Sequence, residues 1–274
     1  MPTEARPLFT AEHDAFREQV RRFCAQEIAP HHAAWEDAHG VPRALWQHAG
    51  ANGLLCCWLP EALGGPGADL LFDFIVAEEL GRIGATGPGF PLHSVIVAPY
   101  LAAHGTPALQ QALLPAMVAG EKIAAIAMTE PGTGSDVAAI RTQARRDGEH
   151  YVLSGQKTFI TNGHNADVVV VACKTEPDQG ARGVSLLVVE RGMPGFTRGR
   201  NLRKIGQHAQ DTAELFFEEV RVPASHLLGE EGQGFKYLMQ KLAQERLLVS
   251  VGCQARSEAA LPWTVDYVKE RKAF

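Results

Sequence analysis

Nowhere in the 274-residue chain do eighteen uncharged apolar residues run together, so nothing in it reads as a membrane-spanning helix. The opening residues, MPTEARPLFT, form neither an apolar signal core nor an Arg-rich leader, and a soluble protein is expected. No basic block is long enough to offset a net charge of −5, which argues against a nucleic-acid partner. The densest positive cluster, Arg198, Arg200, Arg203 and Lys204, reads as a solvated strand end, although it would suit a nucleotide phosphate. The five cysteines, Cys24, Cys56, Cys57, Cys173 and Cys253, show no CxxC spacing and no even framework, so reduced core thiols are expected rather than disulfides. The eleven histidines lack metal-ligand spacing, and no metal is expected. Internal repeats and low-complexity tracts are also missing.

What is present divides the chain into two patterns. Thr10 caps a predicted helix over 11–29 that Pro30 stops, with Phe16, Val20 and Phe23 on one face. Helical patterns follow over 42–51, 70–80, 94–104 and 107–118, punctuated by Gly64-Gly65-Pro66-Gly67 and Gly87-Pro88-Gly89; Thr106-Pro107 is a cap followed by proline at the first helical position. From Lys122 to about Pro223 the pattern changes to short β-rich runs, at 124–128, 151–153, 168–171, 184–189 and 213–222. No helical pattern separates these strands. A doubly wound parallel sheet is therefore not expected, Gly132-x-Gly134 is not a dinucleotide fingerprint, and a small barrel or sandwich is the expected form. A long helix is predicted after Gly234, with a kink or break near 260–263 where Pro262 removes a backbone bond. The fold class is thus multidomain α+β. Its expected parts are a helical domain over 1–121, a β domain over 122–228 and the first helix or helices of a C-terminal helical domain over 229–274.

Two features carry chemistry. In AMTEPGTGSD, Ala127 to Asp136, an apolar strand empties into a turn with Gly132 expected to accept positive φ. Small side chains there let a flat ligand approach the main chain, and oriented amides suit a negative group; an ordinary surface turn is the competing reading. Glu245 falls on the apolar stripe of its helix with Leu238, Leu242, Val249 and Gly252. A carboxylate held there loses water, which raises its proton affinity toward that of a general base. Pairing with Lys241 four residues earlier is the alternative.

These segments, AMTEPGTGSD with TFITNG (158–163), QDTAELFFEEVRVP (210–223), LGEEGQGF (228–235) and QERLLV (244–249), resemble the acyl-CoA dehydrogenases in order and spacing, and most closely the long-chain type. The resemblance implies FAD-dependent α,β-dehydrogenation of an acyl-CoA thioester to a trans-2-enoyl-CoA, with Glu245 as catalytic base. It implies FAD contacts at Ile126, Ala127, Met128, Thr129, Gly134 and Ser135, and at Phe159, Ile160 and Thr161, Phe159 taking a place often held by tryptophan. Arg271 resembles an arginine that reaches the cofactor pyrophosphate across a subunit interface. Ser135, Arg182, Lys236, Gln244 and Arg246 are the implied substrate contacts. Implied partners are an electron-transferring flavoprotein as acceptor and further copies in a homodimer or homotetramer. The location would be cytoplasmic in a bacterium and the mitochondrial matrix in a eukaryote. The uncapped helix after Tyr267 suggests a chain stopping where the family continues into a helical bundle, so little activity is expected of residues 1–274 alone. Acyl-CoA oxidase and a non-catalytic CoA-ester-binding protein remain as alternatives.

Overall fold

The structure, a computed structural model, describes residues 8–273; the expectations made for residues 1–7 and for Phe274 lie outside them. The first part is helical: α1 (Ala11–Phe23), α2 (His32–Ala38), α3 (Arg43–Ala51), α4 (Leu70–Arg82), α5 (Ala98–His104) and α6 (Pro107–Val118). Two expected helices turn out composite. Helix α1 passes into a π-helical turn, Cys24–Ile28, and α5 is preceded by another, Leu92–Val97. At the start of α1 the Thr10 N–H donates to His13 Nδ1 at 3.1 Å, so the cap involves a histidine not foreseen. The Thr106 hydroxyl accepts from the Leu109 N–H, as the sequence suggests. No described helix is long and apolar enough to cross a membrane.

Seven strands follow: β1 (Ala124–Ala127), β2 (Gln143–Asp147), β3 (His150–Thr161), β4 (Val168–Lys174), β5 (Val184–Glu190), β6 (Phe196–Asn201) and β7 (Thr212–Pro223). They form one sheet in the order β1-β4-β2-β3-β7-β6, with β5 on β4. Only β1 and β4, together with the single Gln143↔Lys174 pair, are parallel. Strands β2 and β6 were not anticipated, because both are largely exposed and carry no apolar alternation.

The period of two in β1 and β4 builds both faces of the core at once. Ala124, Ile126, Val168 and Val170 point to the helical side, where they meet Val97, Tyr100, Leu113, Met117 and Leu238. Ala125, Ala127, Val169 and Val171 point the other way, to Tyr151, Leu153, Leu215 and Phe217. Strand β1 is therefore held on both sides, which fixes where its C-terminal end emerges. His93 reinforces the junction. Its Nδ1 accepts from the Ala124 N–H and its Nε2 donates to the Met117 carbonyl, both at 3.1 Å. Burial pushes its pKa down to about 4, so the neutral ring is the resident form.

The last element, α7 (Gly234–Glu270), is 37 residues long and runs through Pro262 unbroken. The expected break is absent: the proline lies in an exposed stretch, where water can satisfy the carbonyl that loses its donor. Helix α7 crosses α4 at close range because position 81 is glycine. A Cβ there would lie 2.8 Å from the Ala255 Cβ and 3.0 Å from the Gly252 carbonyl oxygen. Arg17 of α1 bonds Glu78 at 2.6 Å and Glu79 at 2.9 Å on α4, and Arg82 of α4 reaches Glu258 of α7 at 3.3 Å.

His93→Phe keeps a ring in the junction but leaves the Ala124 N–H and the Met117 carbonyl without partners in the interior. At about 1–3 kcal/mol per orphaned group, the folding free energy should fall by about 2–6 kcal/mol. In urea the unfolding midpoint should drop with an unchanged slope; a loss below about 0.5 kcal/mol would show that the junction does not depend on this ring.

Candidate active site

Three elements contribute: the end of β1 with its turn, the C-terminal part of β3, and α7. Ile126 and Ala127 are strand residues whose side chains lie in the two cores, so they offer a ligand only main chain; the buried Ile160 is in the same position. Met128 and Thr129 are half-buried where the strand emerges. Beyond them the chain closes a turn through Glu130 and Thr133, with N–H to carbonyl bonds of 2.8 and 3.0 Å. Gly132 does not take positive φ, contrary to expectation, and neither does Gly134. A Cβ at either would meet no protein atom within 4 Å, so the space beside this turn is open. Gly134 and Ser135 are exposed.

The turn is anchored from below by a buried ion pair that the sequence reading missed. Lys157 on β3 donates from Nζ to the Met128 carbonyl and to Glu130 Oε1, both at 2.9 Å. Glu130 also accepts the Arg141 N–H at 2.6 Å and the Thr142 N–H at 2.9 Å. Burial alone would raise the Glu130 pKa, but the Lys157 charge and these donors bring it below the usual carboxylate range. Burial lowers that of Lys157, with Glu130 offsetting part of the effect.

Immediately after Lys157, β3 bulges. Its register with β7 shifts between Lys157 and Ile160, and Phe159 takes φ 58°. Positive φ is costly for a bulky residue. Phe159 is also 67% exposed. The strained backbone thus holds this aromatic ring out of the core. Thr161, two residues on, lines a cavity of about 360 Å³ with Leu80, Pro88, Leu92, Leu248 and Val249. Asn162 closes the segment with φ 61° and donates from Nδ2 to the Ala124 carbonyl at 3.2 Å. Gly89 allows this, since a Cβ there would sit 2.1 Å from the Asn162 Oδ1.

Glu245 lies one turn before Leu248 on α7. Its Oε1 accepts from the Tyr100 hydroxyl at 2.8 Å, a partner that neither the base reading nor the alternative pairing with Lys241 foresaw. Burial raises its pKa; the Tyr100 bond, Arg246 and Lys241 partly counter that. The predicted stripe needs one correction. Leu248 rather than Val249 is in the core, because α7 turns Val249 into the cavity, where it is 58% exposed. Gln244 donates to the Val95 carbonyl at 3.1 Å, while Lys236 and Arg246 are exposed. Arg182 is exposed on the segment Pro177–Gly183, and Arg271 ends α7 with its guanidinium on the Tyr267 hydroxyl. Cys253 is exposed and lines the cavity, unlike the four buried cysteines. The basic cluster is partly occupied internally, Arg198 on the His164 carbonyl and Lys204 on Thr212. Among the described residues no group of His, Cys, Asp and Glu could hold a metal.

The chain matches three consecutive family descriptions: acyl-CoA dehydrogenase N-terminal domain over 10–121, middle domain over 125–220 and C-terminal domain over 232–274. It belongs to the acyl-CoA dehydrogenase family. It is 54% identical to the mitochondrial long-chain specific acyl-CoA dehydrogenase of Sus scrofa, over 98% of this chain and 63% of that relative. It thus spans less than two thirds of that relative's length. A crystal structure of an acyl-CoA dehydrogenase from Geobacillus kaustophilus superposes with a TM-score of 0.96 at 52% identity, covering 98% of this chain and 72% of that one. A glutaryl-CoA dehydrogenase from Mycobacterium smegmatis, solved in complex with FADH2, superposes at 0.86 with 28% identity, covering 97% of this chain and 67% of that one.

Lys157→Met should leave the Glu130 carboxylate buried without its cation and cost about 3–5 kcal/mol. Lys157→Met combined with Glu130→Gln should recover part of that loss. A double-mutant cycle by urea unfolding checks this, and strictly additive losses would contradict a coupled pair.

Proposed function

We propose that this protein is an FAD-dependent enzyme that converts an acyl-CoA thioester to its trans-2-enoyl-CoA, with Glu245 as the base. The observation that carries the reading is the pairing, in one family architecture, of an outward aromatic wall at Phe159 with a partly desolvated carboxylate on α7. The residues suit FAD: a flat apolar face, hydroxyls at Thr129, Ser135 and Thr161, and turn positions 132 and 134 with no side chain in the way. When bound, FAD supplies the acceptor for the β hydride.

The main chain of Ile126 to Thr129 and of Ile160, with Gly134, Ser135 and Thr161, binds the cofactor, and Phe159 supports it. Glu245 takes the proton α to the thioester carbonyl, and partial burial raises its proton affinity in the direction such a step needs. Gln244, held on the Val95 carbonyl, keeps that turn of α7 against the helical domain. Ser135, Arg182, Lys236 and Arg246 are polar groups for the CoA ester. An electron-transferring flavoprotein is the proposed acceptor. Association into a homodimer or homotetramer, with Arg271 reaching a neighbour's cofactor, is supported by the exposed apolar side chains Leu261, Trp263 and Val268 on the second half of α7. The proposed location is cytoplasmic in a bacterium and the mitochondrial matrix in a eukaryote.

In the holoenzyme expressed from its complete reading frame, anaerobic mixing with an acyl-CoA should bleach the yellow flavin. Glu245→Gln should slow the bleaching by about 10²–10⁴-fold at unchanged flavin content. Bleaching at the native rate in that variant would remove Glu245 from the reaction. Oxygen consumption matching substrate loss without an added acceptor would instead mark an oxidase.

A further inference from the structure

The helical domain contributes one side chain to the proposed base, and nothing above gives it a role. Tyr100 on α5 is fully buried, packed with Val97, Leu101, Leu113 and Leu238 where the helical and β domains meet. From that packing its hydroxyl crosses to α7 and donates to Glu245 Oε1 at 2.8 Å. The donor assignment follows from burial and from the neighbouring carboxylate, both of which push the phenol pKa up and keep its proton on. A rigid aromatic ring has few rotamers, so its hydroxyl is a fixed point against which a flexible glutamate can be oriented.

We propose that Tyr100 is the positioning residue of this site: its hydroxyl fixes the rotamer of the Glu245 carboxylate and selectively stabilises its ionised form. The proposal deepens the functional reading above, but the bond itself does not depend on FAD or substrate. The direction is set by simple charge logic. A hydrogen bond donated to a carboxylate favours the ionised state, so removing the donor raises the pKa. The other groups near Glu245 cannot substitute. Lys241 and Arg246 are on α7 itself and act only by charge. His104, one turn beyond Tyr100 on α5, is stacked on Tyr237 and held below its ordinary pKa by burial and by Lys241. The helix α4 faces α7 with Glu78, Glu79 and Arg82, which are engaged with Arg17, Arg21 and Glu258. From the turn before α5, the Val95 carbonyl is taken by Gln244.

The test is a titration of Glu245 in the cofactor-free protein, labelled with ¹³C at glutamate Cδ, with the resonance assigned by its loss in Glu245→Gln. Tyr100→Phe keeps the buried ring and should move the midpoint upward by about 1 pH unit, the expected effect of losing one bond to a charged group. Replacing Tyr100 by 3-fluorotyrosine, a more acidic donor, should move it downward. Opposite shifts support the proposal. Midpoints unmoved in both, or moved the same way, overturn it. In the holoenzyme the acid limb of the bleaching rate should follow the same two directions. If the titration shifts as expected but acyl-CoA bleaches neither native nor variant flavin, the functional reading fails while the role of Tyr100 at the carboxylate stands. A purely structural role would lower stability in Tyr100→Phe without moving the midpoint.

Discussion

The Lys157–Glu130 pair is the constraint on which the site rests. Four stretches of chain converge on it: the end of β1 through the Met128 carbonyl, the turn through Glu130, the approach to β2 through the Arg141 and Thr142 amides, and β3 through Lys157 itself. Two charges are costly to bury, and the cost is tolerable only when nearly every donor and acceptor is used. That requirement leaves the turn little freedom. It also explains why β3 bulges immediately afterwards: once Lys157 is committed inward, the register slips before Ile160 re-enters the core and Phe159 is left outside.

The second half of the site comes from a helix whose position is set elsewhere. Gly81 lets α7 lie close on α4, Leu238 and Leu248 bury its inner face, and Tyr100 meets Glu245 across the junction. The cavity of about 360 Å³ lies where α7, the Thr86 to Ile96 stretch and Thr161 face one another. Glu245 on its helix and Phe159 on its strand are both tied to the core around β1, α7 through Leu238 in the cluster with Ile126 and β3 through Ile160 in the cluster with Ala127. Loosening that core should therefore affect both halves of the site together.

Much of this architecture was legible in the sequence. Thr106-Pro107 marks the start of α6, and the valine-rich run Val168 to Val171 reads as a buried strand because β4 is covered on both faces. Residues whose partners are distant in sequence were harder to read. Strands β2 and β6, QARRD and FTRGRN, pair by backbone alone on the exposed side and have no period to detect. Pro262 suggested a break that an exposed helix does not need. Glu245 stood out from its spacing, but its true partner is 145 residues away, beyond the reach of any local rule. Phe159 illustrates the same limit from the other side: its neighbours favour burial, and only the inward commitment of Lys157 turns it out.

The central claim is that the bulged end of β3 and the turn after β1 form, before any ligand arrives, a face shaped for the flavin ring. A crystal structure of the FAD-loaded protein tests this directly. The account predicts the ring lying against Phe159, with the main chain of Met128 and Thr129 along its edge, the Lys157–Glu130 pair intact and Phe159 still at positive φ. A ring bound elsewhere, or a β3 that straightens and returns Phe159 to the core, would contradict it.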